Sequence, residues 1–99
     1  MAKGYWIAHV SVTDPERYKE YVRLNAVAFS KYGAKFVVRG GPYEVRAGSR
    51  PQGQRNVVIE FESYAQAKAC YDSPEYQAAC KVRDEASTAD VIIIEGYDG

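Results

Sequence analysis

Alternating and helically spaced apolar residues divide the first third of the chain into a strand and a helix. Residues 4–12 alternate and are rich in Trp, Tyr, Ile and Val, which predicts a β-strand. Asp14 and Pro15 follow as a capping side chain and a favoured first helical residue. Gly33 is suited to end the helix in the left-handed conformation. The inward stripe of this helix consists of Tyr18, Tyr21, Val22, Asn25, Ala28, Phe29 and Tyr32.

A similar order of elements recurs in the rest of the chain. Ser63 and Gln66 match a capping box, in which the two side chains each satisfy a free backbone amide. The helix that begins there is interrupted at Ser73 and Pro74, where a second cap-then-proline pattern begins a helix that runs to about residue 86. The other predicted strands are residues 35–39, 56–61 and 91–94, and a small extra strand or hairpin arm is expected at residues 43–47.

The order strand–helix–strand, taken twice, is typical of the ferredoxin-like α+β sandwich. In this βαββαβ fold a four-stranded antiparallel sheet carries its helices on one face. The 99 residues are the size of one domain. We therefore expect a single ferredoxin-like domain over residues 1–99.

The two faces of the predicted sheet differ in composition. Strand alternation places one set under the helices, and this set is wholly apolar: Trp6, Ala8, Val10, Val12, Phe36, Val38, Val57, Ile59 and Phe61. The other set is mixed: Tyr5, Ile7, His9, Ser11, Val37, Arg39, Asn56, Val58 and Glu60. Burying one aliphatic side chain is favourable by roughly 1.5–3 kcal/mol. We therefore expect a second copy of the chain to cover the mixed face and form a homodimer.

Charge and composition exclude several classes of function. Thirteen Lys and Arg residues balance thirteen Asp and Glu residues, so net charge favours neither nucleic acid nor an anionic membrane as a partner. No apolar run approaches the ~20 residues that span a bilayer. One histidine, two cysteines without ligand spacing and the lack of a glycine-rich nucleotide motif indicate neither a metal nor a cofactor. We expect a cytoplasmic protein with both thiols reduced.

Several stretches are similar to those of one group of small bacterial proteins: Asp14-Pro15 with Tyr18 and Tyr21, residues 32–33 through 39–41, Gly48, Arg55, residues 57–61, and residues 71–76 with Arg83. On these stretches the chain resembles domain of unknown function family thirteen-thirty, of the dimeric α/β-barrel superfamily. Ala34 and Ala47 depart from its pattern, in which glycine and glutamate are expected. The resemblance implies two facing sheets that dimerisation closes into a barrel. It implies no established activity.

Three polar side chains on the mixed face are candidates for chemistry, and each has two interpretations. His9, the only histidine, either transfers a proton near neutral pH or hydrogen-bonds a neighbour across the sheet or the dimer interface. Arg39 and Glu60 either form a buried or interfacial ion pair or act on a ligand. In the second case Arg39 binds a carboxylate, while Glu60 orients the guanidinium or acts as a base.

The resemblance adds a second place for a ligand. In several relatives of this superfamily that act as oxygenases or isomerases, the substrate lies between helices and sheet. By that resemblance Asn25, Tyr32, Tyr71 and Arg83 line a pocket; the alternative is that they are polar groups of ordinary helix packing. The sequence does not decide between a pocket in this cleft and one between two facing sheets.

Two functions follow from these candidates. The first is binding of a small anionic or aromatic molecule, by a protein that is either a plain binder or a cofactor-independent enzyme of the monooxygenase or isomerase kind. Here Arg39 anchors the anion, His9 or Glu60 moves a proton, and aromatic residues including Tyr71 shape the cavity. The second is a non-catalytic dimerisation or binding module, in which the same residues only join the subunits.

Overall fold

Four strands and three helices build the fold, in a computed structural model that describes residues 2–98. The strands of the sheet lie in the order β2-β3-β1-β4, and every neighbouring pair is antiparallel. This is the ferredoxin-like α+β arrangement that the sequence predicts. The elements are β1 (Gly4–Val12), α1 (Pro15–Tyr32), β2 (Lys35–Arg39), β3 (Arg55–Phe61), α2 (Tyr64–Asp72), α3 (Pro74–Ala86) and β4 (Ser87–Glu95).

Helix α1 begins and ends at the residues whose side chains favour those positions. Asp14 Oδ1 accepts a hydrogen bond from the backbone N–H of Arg17 at 3.1 Å, and Pro15 occupies the first turn. Gly33 closes the helix with φ of +70°, a left-handed conformation that glycine adopts without strain. The burial of Tyr21, Asn25, Ala28 and Phe29 confirms the predicted inward stripe.

Ser73 separates α2 from α3 by capping both. Its hydroxyl donates to the carbonyl of Cys70 at 2.7 Å and accepts from the backbone N–H of Tyr76 at 3.1 Å. At the start of α2 only half of the predicted capping box forms. Ser63 Oγ accepts from the N–H of Gln66 at 3.0 Å, but the Gln66 amide donates to the carbonyl of Tyr32 instead of returning to Ser63.

Trp6 lies at the centre of the core between the sheet and the helices and is 2% exposed. Its indole N–H donates to the carbonyl of Ala67 at 2.8 Å, so the one polar atom of this side chain is satisfied. Its ring is within 5.3 Å, centroid to centroid, of the rings of Phe29, Phe61, Tyr71 and Tyr76. This aromatic cluster fixes how α1 and α3 sit on the sheet.

Two predicted strands at the edges of the sheet differ from the structure. Residues 43–47 form no strand; they belong to an exposed connection between β2 and β3, where no ladder partner is present within the described chain. Strand β4 is longer than predicted, because it pairs with β1 over its whole length, from Val12–Ser87 to Gly4–Glu95. Both differences depend on pairing with a strand that is distant in the sequence.

A β-bulge in β2 changes which side chains face the helices. Val37 is an extra residue that has no partner on β3, and the pairs around it are Phe36–Ile59, Val38–Val58 and Arg39–Val57. Beyond the bulge the alternation of β2 is inverted. Val38 therefore shares the outer face with Val58, and Arg39 lies on the helix side with Val57. The predicted faces of Val38 and Arg39 are wrong for this reason.

The outer face of the sheet is uncovered by the described chain and retains exposed apolar side chains. Ile92 and Ile94 of β4 are 54% and 45% exposed, and they pair with Ile7 and Tyr5 of β1. Val38 is also exposed. The mixed character predicted for this face is thus present, with two more isoleucines than the sequence analysis placed there.

Candidate functional site

A cleft between α1, α3 and the helix-facing side of the sheet is lined by three of the predicted site residues, Asn25, Arg39 and Arg83. Its floor and walls are apolar and aromatic and include Trp6, Phe29 and Phe36. Its cavity volume is about 40 Å³. The total empty space, including the open mouth, is about 490 Å³. The polar side chains that line it are Tyr18, Tyr21, Asn25, Arg39, Arg55, Tyr76 and Arg83.

The charges that line the cleft are all positive. Three arginines contribute guanidinium groups, and no Asp or Glu is among the lining residues that the structure describes. Within residues 2–98 neither Arg39 nor Arg55 forms an ion pair. The Arg39 guanidinium instead lies over the ring of Phe36, 4.0 Å from its centroid. The cleft therefore offers two cations, Arg39 and Arg55, that have no ion-pair partner among the described residues.

Gly40 brings the two arginines of β2 and β3 together. It follows Arg39 with φ of +70°, and its N–H donates to the carbonyl of Asn56 at 2.9 Å. A Cβ atom at this position would lie 3.1 Å from Nη1 of Arg55. The glycine thus supplies both the left-handed turn and the space in which the Arg55 side chain packs.

Arg83 is the innermost charge of the cleft and is only 8% exposed. It donates to the hydroxyl of Tyr76 at 3.1 Å through Nη1 and to that of Tyr71 at 3.2 Å through Nη2. Nη2 also contacts Asp84, whose side chain is 69% exposed, so water weakens that ion pair. The Nε of Arg83 is buried without a partner. Burial works to lower the pKa of Arg83, but the Tyr76 and Tyr71 hydroxyls outweigh it and the group stays cationic.

The lining tyrosines are neutral hydrogen-bond donors. Burial raises the pKa of Tyr76 far above its usual value and also raises the pKa of Tyr21. Burial likewise raises the pKa of Tyr18, although Arg55, Arg83 and Arg39 oppose that rise. No carboxylate or imidazole lines the cleft within the described residues. The arrangement can hold and stabilise negative charge, but it contains no side chain that takes up a proton near neutral pH.

Two of the predicted site residues, His9 and Glu60, lie on the outer face and do not line the cleft. His9 Nδ1 is 2.7 Å from the amide oxygen of Asn56, its cross-strand neighbour. Glu60 accepts a hydrogen bond from the Tyr5 hydroxyl at 3.2 Å. The prediction that Arg39 shares a face and an ion pair with Glu60 is wrong, because the bulge at Val37 turns Arg39 to the helix side.

The other predicted residues are divided between the cleft and its surroundings. Asn25 and Arg83 line the cleft, and Tyr71 lies behind Arg83 as a hydrogen-bond acceptor. Tyr32 lies elsewhere, in a surface depression with Gln66 at the end of α1. The sequence analysis assigned no role in a site to Arg55, Tyr18, Tyr21 or Tyr76. Side chains two residues apart in a strand share a face, so Arg55 lies on the helix side with Val57. The sequence therefore contained a signal that Arg55 faces the helices.

The comparison with known families decides the relationship of the chain. Residues 3–97 match the family described as Domain of unknown function (DUF1330). The chain belongs to this family. The resemblance noted on short sequence stretches is therefore confirmed over nearly the whole length. None of the curated proteins matches the DUF1330 chain by sequence.

Solved structures share the fold at low sequence identity. RPA0582 from Rhodopseudomonas palustris, a protein of unknown function, is 20% identical with a TM-score of 0.76, over 99% of this chain and 85% of that one. SnoaB from Streptomyces nogalater, a cofactor-independent oxygenase, is 12% identical with a TM-score of 0.61, over 100% and 97%. A conserved protein from Methanosarcina mazei Go1 is 14% identical with a TM-score of 0.60, over 98% and 95%. At this identity the likeness shows the fold.

Two further features of residues 2–98 limit the kinds of site present. No three His, Cys, Asp or Glu side chains come together as metal ligands within this range. None of its helices combines the length and the apolar character that crossing a bilayer requires. Both cysteines are free, and burial raises the pKa of the Cys70 thiol to about 12. Cys70 is therefore a packed side chain with no thiolate character.

Proposed function

We propose that this DUF1330 protein binds a small organic anion with an apolar or aromatic body in the cleft between helices and sheet. The observation that carries the proposal is the set of three guanidinium groups, without an acidic neighbour in the lining, above aromatic walls. Holding cations in a partly dry cleft is unfavourable unless an anion joins them. Arginine is well suited to that anion, because its planar fork matches a carboxylate.

In this proposal the mouth and the interior of the cleft act on different parts of the ligand. Arg39 and Arg55 anchor the carboxylate at the mouth, where neither has a competing acid. Phe29 and Phe36 contact the body of the ligand. The ligand displaces the side chains of the rim on entry, since the water-accessible part of the closed cleft is only about 40 Å³.

Binding is better supported than acid–base catalysis. SnoaB, which has the same fold, is a cofactor-independent oxygenase, and the cleft could act similarly only by stabilising an anion of its substrate. Its described lining contains no general base. The assignments of His9 and Glu60 as proton-transferring groups stay predictions. Both belong to the outer face in this structure.

The alternative function, a dimerisation module, rests on the outer face. We propose that two copies of the chain pair through this face, because its exposed isoleucines and valine are otherwise left in water. His9 and Asn56 then lie at or near the interface. Dimerisation and ligand binding use opposite sides of the sheet, so one does not exclude the other. Free thiols are in keeping with the proposed cytoplasmic location.

A ligand screen with matched arginine variants tests the cleft. Benzoate, phenylacetate and cinnamate are added in a thermal-shift assay, and the affinity of the best one is measured by calorimetry. We expect Arg39→Gln to weaken binding about 10- to 100-fold, the loss of a charge-assisted hydrogen bond pair. Arg50→Gln, an equal loss of charge in the exposed loop outside the cleft, leaves affinity unchanged. Equal affinity in the parent and Arg39→Gln, or no binding at all, would contradict the proposal.

A further inference from the structure

Three side chains from two helices form a hydrogen-bonded chain that ends in the cleft. Arg83 Nη1 on α3 donates to the Tyr76 hydroxyl at 3.1 Å, and the hydroxyls of Tyr76 and Tyr21 are 2.8 Å apart. Tyr76 is 1% exposed and Tyr21 is 8% exposed, so the chain lies almost entirely out of water. It leads from the innermost cation of the cleft to a hydroxyl on α1.

The order of donors along this chain follows from the chemistry of its first member. A guanidinium group has only donors, so the Tyr76 oxygen accepts from Arg83. Within residues 2–98 the Tyr76 hydroxyl has no acceptor other than Tyr21, and it therefore donates its own proton to Tyr21. Successive bonds in one direction also strengthen one another. The proton of Tyr21 is then left for an acceptor in the cleft.

The hydrogen bond between Tyr76 and Tyr21 acts on their pKa values in the directions that this order of donors requires. Burial raises the pKa of both, but the bond between them lowers the pKa of Tyr21 and raises that of Tyr76. Asn25, one helical turn beyond Tyr21 and also buried in the cleft lining, lowers the pKa of Tyr21 as well. The hydrogen bond between the two hydroxyls thus works against ionisation of Tyr76, the donor, and in favour of ionisation of Tyr21, the acceptor.

We propose that the Tyr21 hydroxyl binds a phenolate or enolate oxygen of the ligand, and that Arg83 polarises this hydroxyl through Tyr76. One hydroxyl donor matches one oxygen that carries a full charge, whereas a carboxylate fits the forks of Arg39 and Arg55 better. The ligand is thus a phenol or an enolisable carbonyl compound. In this inference, which rests on the proposed function, Tyr21 touches the ligand and Arg83 is a positioning residue.

The ionisation of a bound chromophore tests the inference directly. The probe is 4-nitrophenol, whose neutral and anionic forms differ in absorbance. With saturating parent protein, we expect the apparent pKa of the bound probe to fall by about one unit, a tenfold gain in the anion. Tyr21→Phe removes the contribution of the hydroxyl to that shift. Tyr76→Phe removes most of that contribution, although Tyr21 is intact. The double variant, with both Tyr21→Phe and Tyr76→Phe, shows the same pKa shift of the probe as Tyr21→Phe alone.

Matched controls separate the relay from a loss of structure. Tyr64→Phe also removes a tyrosine hydroxyl, but one outside both the cleft lining and the hydrogen-bonded chain, and we expect it to leave the probe's pKa shift unchanged. Near-ultraviolet circular dichroism verifies the fold of each variant. If Tyr21→Phe does not fold, Tyr76→Phe carries the test, because an unchanged shift in that variant overturns the relay.

The outcomes also separate this inference from the proposed function. A probe shift that is the same in Tyr21→Phe and in the parent overturns the inference, while benzoate binding that depends on Arg39 would still support an anion cleft. Binding of benzoate without binding of 4-nitrophenol overturns the inference alone. Failure of both probes to bind overturns the inference and the proposed function together.

Discussion

The two faces of one sheet use polar side chains in opposite ways. On the outer face the polar groups are paired with each other, His9 with Asn56 and Tyr5 with Glu60, while aliphatic side chains are left exposed. On the helix side the aliphatic and aromatic side chains are buried, and the cations of the cleft have no acidic partner in its lining. Exposed apolar area favours association with another surface, whereas unneutralised charge in a cleft favours a ligand.

A single residue decides on which of these faces Arg39 lies. If Val37 were paired with Val58 in a regular ladder, Arg39 would lie opposite Asn56, on the outer face that also carries Glu60. With the bulge, Arg39 lies beside Arg55 on the helix side. The contrast between the faces can therefore be tested by changes that affect one face and spare the other.

The largest expected effect comes from removing a buried side chain on the helix side. Ile59 is 4% exposed, and we expect Ile59→Ala to lower the free energy of unfolding by about 2–5 kcal/mol. Ile92→Ala, the same change on the outer face, should cost less, and its cost should depend on protein concentration. Urea denaturation at two concentrations measures both. If both variants lost the same free energy of unfolding, independently of protein concentration, the proposed difference between the faces would be wrong.

A charge on the outer face should disrupt the proposed dimer without unfolding the chain. We expect Ile92→Lys to weaken self-association by about 30- to 150-fold, since it replaces roughly 2–3 kcal/mol of apolar burial. Val27→Lys is the matched control, because Val27 is equally exposed but lies on α1. Sedimentation velocity reports the mass of each variant. A parent that is monomeric at micromolar concentration would rule out the dimer.

Insertion of one alanine between Val38 and Arg39 tests on which face Arg39 acts. The inserted alanine takes the place opposite Val57 and moves Arg39 opposite Asn56 on the outer face, so we expect benzoate affinity to fall by about tenfold or more. Insertion of one alanine after Gln52, in the exposed loop before β3, lengthens the chain equally and should leave affinity unchanged. Calorimetry with benzoate makes the comparison. Undiminished affinity in the folded chain with the insertion before Arg39 would show that Arg39 is not an anchor.

Alkaline pH should weaken the helix side through Cys70. Burial raises the pKa of this thiol from 9.0 to about 12 in the folded chain. The thiol therefore favours the folded state fully below pH 9, and this contribution is lost as pH rises to 12, at no more than about 1.4 kcal/mol per pH unit. Urea denaturation from pH 8 to 11 should show a smaller decline in Cys70→Ala. Identical declines would exclude this thiol as a cause.

Much of the fold follows from local signals in the sequence. The bounds of β1 and β2 agree with the prediction, and β3 begins one residue earlier than predicted. The caps at Asp14, Ser63 and Ser73 are confirmed as well. These strand bounds and helix caps are determined by residues that are close together in the sequence, so the local sequence is enough to predict them. The prediction of a strand at residues 43–47 was wrong, because a strand also requires a partner strand.

The candidate site depended on the tertiary structure. The bulge at Val37 arises from the register of β2 against β3, and the bond between Tyr21 and Tyr76 joins residues 55 positions apart. The sequence by itself determined that arginines, tyrosines and an apolar sheet were present and in which elements. Only long-range packing decided that Arg39, Arg55 and Arg83 share one cleft without an acid among its lining residues, because register and helix docking are set by contacts that no local pattern encodes.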